Sequence, residues 1–109
     1  MDSLWQPDKV KIGPFDYDVK WFSREEENRN GRYGYTDSNE FEIGVSDRLP
    51  AKKKADTFMH EIIHALADIM HLDDKIGEEE IASKFGVALT TFARDNPLTM
   101  LWWVKLLEN

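Results

Sequence analysis

The sequence predicts an α+β fold built as one domain over residues 1–109. Two observations carry this. The chain has 109 residues, a length that fits one domain and not two. Apolar and polar residues alternate before about residue 50, the period of strands, and then recur at three- and four-residue spacing, the period of helices. With 41% hydrophobic and 12% aromatic residues, the chain can build a core, and disorder along its whole length is excluded.

Val10 and Ile12, then Tyr17, Val19 and Trp21, alternate on either side of Gly13-Pro14. They predict a hairpin or one bent strand. Ser23–Gly31 is polar and ends in Asn30-Gly31, a turn signal. Tyr33 and Tyr35 begin another extended piece, and Phe41, Ile43 and Val45 mark a half-buried strand. Together these predict a small antiparallel sheet of three or four strands. Ser46 or Asp47 can cap the following helix, and Pro50 suits its first turn. Phe58, Met59, Ile62, Ile63, Leu66, Ile69 and Met70 place that helix over Ala51–Met70. His71–Gly77 breaks it. A second helix follows over Glu78–Arg94, with Ile81, Ala82, Phe85, Leu89 and Phe92 on one stripe. Asp95-Asn96-Pro97 ends it. Leu98–Leu107 forms a last, very apolar helix that covers the core or makes an oligomer contact.

Charge and composition narrow the function. Fourteen basic and 21 acidic residues leave a net charge of −7, which argues against direct binding of nucleic acid or anionic membrane. The absence of Cys excludes disulfides, thiolate metal sites and a catalytic thiol. The N-terminus lacks the basic and apolar regions of a signal peptide, and no apolar run approaches the length of a membrane span. A cytoplasmic chain is expected.

Residues 60–64 read His60-Glu61-Ile62-Ile63-His64, an H-E-x-x-H sequence. Side chains at i and i+4 share a helix face, so both imidazoles can reach one ion. Glu61 points to the side, where it can act as general base on a water. The apolar flanks imply a buried helix, and a buried helix carrying two His and a Glu needs a polar reason. Zinc calls for a third protein ligand. His71 is seven residues past His64, about 10 Å further along a straight helix, and cannot share the ion. That leaves a carboxylate from Glu78, Glu79 or Glu80, which also favour the start of the next helix through its dipole. Glu79 aligns with Ala82, Gly86 and Leu89. Glu78 aligns with Ala82 and Phe85, and Glu80 with Ser83 and Lys84.

Lys54–Leu66 followed by Glu79–Leu89 resembles the zincin metallopeptidases of the gluzincin kind. Within that group the chain is most similar to the ImmA/IrrE-like proteins and to small phage-encoded metallopeptidase-like proteins. It departs from the former in a shorter stretch between His64 and Glu79 and in Ile63, where Gly is common. The resemblance implies a minimal zincin-like fold: a small antiparallel sheet packed on the H-E-x-x-H helix, a Glu-bearing helix and a C-terminal helix. It implies a zinc ion held by His60, His64 and Glu79, because Glu79-x-x-Ala82 matches the family's E-x-x-A. It implies Glu61 as catalytic base, a peptide or protein substrate, and a host-cell cytoplasmic location if the chain is phage-encoded. Phe41–Val45 would be the edge strand that holds an extended peptide by main-chain pairing. The rival expectations are a non-catalytic module that binds metal for stability or binds a partner such as a repressor, and a DNA-associated regulator. Asp68 is a candidate for a carboxylate behind the ligands. Tyr33, Tyr35, His71 and Arg94 are candidates to steady an oxyanion.

Overall fold

The computed structural model describes residues 5–72 and 75–108. The first four residues and two residues of the expected break, Asp73 and Asp74, lie outside the described set. The fold is α+β. Four strands, β1 (Lys9–Ile12), β2 (Phe15–Phe22), β3 (Gly34–Asp37) and β4 (Glu42–Ser46), form one sheet. Among the described residues four helices accompany it: α1 (Arg24–Asn30), α2 (Ala51–Met70), α3 (Glu78–Asp95) and α4 (Pro97–Leu107). No helix among the described residues is long and apolar enough to cross a membrane.

The sheet order is β1-β2-β4-β3. Gly13, with φ 57°, turns the chain between β1 and β2, which pair as an antiparallel hairpin. β3 and β4 also pair antiparallel, but β2 and β4 run parallel, with Val19 opposite Ile43 and Trp21 opposite Val45. The sheet is therefore mixed, and the all-antiparallel expectation is corrected. The cause is the segment expected to be a turn. Ser23–Gly31 contains a helix, α1, which carries the chain over so that β3 takes the outer edge and β4 returns beside β2. Parallel neighbours need such a crossover.

Local chemistry explains α1. The Ser23 hydroxyl accepts from the Glu26 amide at 3.2 Å and the Glu26 carboxylate accepts from the Ser23 amide, a reciprocal cap. Gly31, at φ 71°, closes the other end in the left-handed conformation. So Asn30-Gly31 ends a helix rather than turning a hairpin. The inward residue of α1 is Glu27, which is buried and accepts from Ser46 Oγ and the Arg48 guanidinium.

That network also corrects the expected cap of α2. Ser46 is committed to Glu27, and Asp47 accepts from Gln6 and Lys54. The cap position is Pro50, with no side-chain bond. α2 buries Ala55, Phe58, Ile62, Ala65 and Leu66, and the core opposite them comes from Val10, Ile12, Val19, Ile43 and Val45. α4 closes one side: the Trp102 ring meets Phe58 edge-on at 5.1 Å, and Trp103 Nε1 donates to the Ala55 carbonyl at 2.9 Å. Between α3 and α4, buried Asn96 donates to the Lys11 carbonyl and accepts from the Lys11 amide, tying both helices to β1.

Candidate functional site

His60 and His64 stand one turn apart on α2, on the side away from Phe58, Ile62 and Leu66. Both are exposed. Their rings meet edge-on at 4.7 Å, and the two Nε2 atoms are 3.2 Å apart. Two donors on a tetrahedral ion with zinc–nitrogen bonds of 2.0–2.1 Å would be about 3.3 Å apart. The pair therefore fits two corners of a zinc site. Without metal, the same spacing suits one imidazole donating to the other.

Glu61 lies on the shoulder of α2 between the His face and the core and is 6% exposed. Thr36 Oγ1, from β3, lies 2.7 Å from Glu61 Oε1 and 3.0 Å from the Glu61 carbonyl oxygen. Gly34, two residues earlier on the same face of β3, sits so close that a Cβ there would stand 3.0 Å from Glu61 Oε2 and 2.9 Å from the Thr57 methyl. Further along, Ser38 Oγ donates to Asp68. Residues 34, 36 and 38 thus track Thr57, Glu61 and Asp68 along one flank of α2. Asp68 anchors the end of β3.

This arrangement corrects the expected edge strand. Phe41–Val45 is not at an edge: β4 lies between β2 and β3, and β3 is the open edge beside α2. Ser46 N donates to the Tyr33 carbonyl at 2.8 Å, so Tyr33 and Ser46 form a hydrogen-bonded pair. Such pairs alternate along an antiparallel ladder. Gly34 and Thr36 therefore direct their main-chain N–H and C=O groups to the open edge. Neither residue is marked by any motif; the only signal in the sequence is the alternation that puts 34 and 36 on one strand face.

The opposite flank of α2 belongs to α3. A groove between them is lined by Leu66, Ile69 and Met70 of α2 and Lys84, Val87 and Ala88 of α3. On α3, Phe85 and Ala88 are half-buried and Phe92 is buried, whereas Ala82, Gly86 and Leu89 are exposed. A Cβ at Gly86 would meet nothing within 4 Å. The close approach expected on the Ala82–Gly86–Leu89 side is therefore not made. Glu78, Glu79 and Glu80 are all exposed in the first turn of α3. Glu79 stands on the unpacked side, and Glu78, seven residues before Phe85, is on the packed stripe. Among the described residues no group of three or more His, Asp or Glu is arranged to hold a metal. The structure pairs His60 with His64 and holds the neighbouring Glu61 against β3, and among the described residues no third ligand, Glu79 included, joins the pair.

The oxyanion candidates have other engagements. Tyr35 is on the far face of the sheet and donates to Glu42; burial, and then that bond, push its phenol above its ordinary range. Arg94 pairs with Asp95 at 2.9 Å. His71 ends α2 in the left-handed conformation, and the Tyr33 ring lies under Arg48 and Lys53. The chain matches no protein-family model, no curated protein and no solved structure.

Proposed function

We propose that the chain is a zinc-dependent peptide hydrolase in which His60 and His64 hold the metal and Glu61 is the general base. One observation carries the reading: two imidazole nitrogens 3.2 Å apart on an open helix face, beside a carboxylate sheltered from water and held by a neighbouring strand. Bound zinc would supply a Lewis acid that brings the pKa of a water to about 7. Glu61 would accept the proton of the attacking water at a carboxylate oxygen and return it to the leaving amine. The open edge at Gly34 and Thr36 would hold an extended peptide by main-chain pairing. Glu79 as third ligand rests on the resemblance to gluzincins. It requires the first turn of α3 to stand elsewhere in the zinc-bound chain.

A second reading has its own support. With no third protein ligand at the His pair among the described residues, the pair would suit a non-catalytic module that takes up metal without activating a water. Elemental analysis and Glu61→Gln separate the two. Hydrolysis predicts one zinc per chain in the parent and in Glu61→Gln, hydrolysis of a peptide library by the parent alone, and loss of both metal and hydrolysis in His64→Ala. A parent that takes up zinc yet cleaves nothing establishes the module instead. A parent with no affinity for zinc on titration removes both readings.

A further inference from the structure

We infer that Thr36 is a positioning residue: its hydroxyl holds the Glu61 carboxylate in place and ties the base to the strand at the open edge of the sheet. This rests on the proposed hydrolase reading. The Thr36 hydroxyl has one proton and two acceptors in reach, Glu61 Oε1 at 2.7 Å and the Glu61 carbonyl oxygen at 3.0 Å. A charged acceptor at the shorter distance takes the proton, because charge-assisted hydrogen bonds are the stronger ones. The other carboxylate oxygen, Oε2, faces the main chain at Gly34, where a Cβ would stand 3.0 Å away. One oxygen is thus held by a donor, and the other lies beside Gly34, where the missing Cβ leaves it free to take a proton.

The carbonyl oxygen of Glu61 already accepts within α2, as helix carbonyls do. It needs nothing from Thr36, whereas the carboxylate oxygen of a residue 6% exposed does. The two residues that lie against the Glu61 carboxylate, Gly34 and Thr36, are also the two whose main-chain groups face the open edge of β3. A peptide paired there would therefore be registered against the same strand that fixes the base. Sub-ångström placement of a base relative to the bond it serves is worth large factors in rate, and partners behind a catalytic group commonly matter by about tenfold to a hundredfold.

The test compares Thr36→Val and Thr36→Ser with the parent, all zinc-loaded, on a quenched-fluorescence peptide library followed by steady-state kinetics on the best peptide. Valine keeps the branched shape that suits a strand and removes the donor. Thr36→Val should lower kcat about tenfold to a hundredfold, with KM and zinc content at parent values. Thr36→Ser should restore most of the loss. A second readout needs no activity. In the metal-free chain, Thr36→Val and Glu61→Ala should be non-additive in thermal midpoint, because each removes the same bond. Parent kinetics in Thr36→Val, or additive midpoints, overturn the inference while leaving the hydrolase standing. A parent that cleaves no peptide overturns the hydrolase and this role with it. A rise in KM alone overturns it in favour of a role in peptide binding.

Discussion

Gly44 lies beneath the ring of Tyr35, and a Cβ built there would stand 2.1 Å from a ring carbon. The ring cannot yield cheaply, since its hydroxyl donates to Glu42 and its face stacks on Phe22 at 6.1 Å. Gly44→Ala should therefore destabilise the chain by about 1–3 kcal/mol, the usual cost of overpacking. Gly86 poses the opposite case. It sits inside α3 with nothing within 4 Å of a built Cβ. There alanine only removes backbone freedom from the unfolded chain, and Gly86→Ala should stabilise by roughly 0.5–1 kcal/mol. Urea denaturation of the two variants checks both signs. A neutral Gly44→Ala would mean that the Tyr35 ring leaves Gly44 at little cost.

At the scale of elements, the long helices were legible and their contacts were not. The expected spans Ala51–Met70, Glu78–Arg94 and Leu98–Leu107 lie within one residue of α2, α3 and α4, because Pro97 and the three- and four-residue periods mark them. α1 was missed because a helix whose inward residue is Glu27 shows no apolar stripe. The parallel pairing of β2 with β4 was missed for the same reason, since it depends on that crossover. The facing of α3 was misread because Ile81, Ala82, Phe85, Val87, Ala88, Leu89 and Phe92 spread around most of the helix. Tertiary neighbours, not the wheel, choose Phe85, Ala88 and Phe92. In the candidate site, the pairing of His60 with His64 was legible because one helix turn fixes their spacing. Thr36 was not, because it reaches Glu61 from 25 residues away. This bears on the third ligand. If Glu79 completes the site, Glu79→Ala should weaken zinc binding by about a hundredfold or more, since a direct ligand matters at least as much as its supports. Glu80→Ala should leave it unchanged. Zinc should also slow hydrogen exchange in the first two turns of α3, which now lie exposed. Equal affinity in the parent and both Glu→Ala variants, with no added protection, would rule Glu79 out.

Over the whole molecule, two acidic side chains link segments that are distant in sequence, and both make stability respond to pH. Glu27 joins α1 to the end of β4 and to the turn before α2. The hydrogen bonds from Arg48, then that from Ser46, hold its carboxyl below the ordinary value of 4.5. Asp47 joins the N-terminal segment to α2. The bond from Gln6, then that from Lys54, hold it below the ordinary value of 3.8. Each group is easier to ionise folded than unfolded. Its contribution is therefore complete above the ordinary value and is lost as pH falls through the lowered folded value. Stability should hold against these two groups down to about pH 4.5 and then decline as protons bind the unfolded chain first. Glu27→Gln isolates the larger network. It keeps the shape of the side chain and removes the charge that Arg48 and Ser46 serve. The variant should be less stable than the parent at pH 7, and the gap should close progressively below the ordinary Glu value as the parent's own carboxyl is neutralised. Thermal midpoints measured from pH 7 to pH 3 in parent and variant give this gap directly. A gap that stays constant with pH would assign the loss to packing and would show that the charge of Glu27 does not stabilise the junction of α1, β4 and α2.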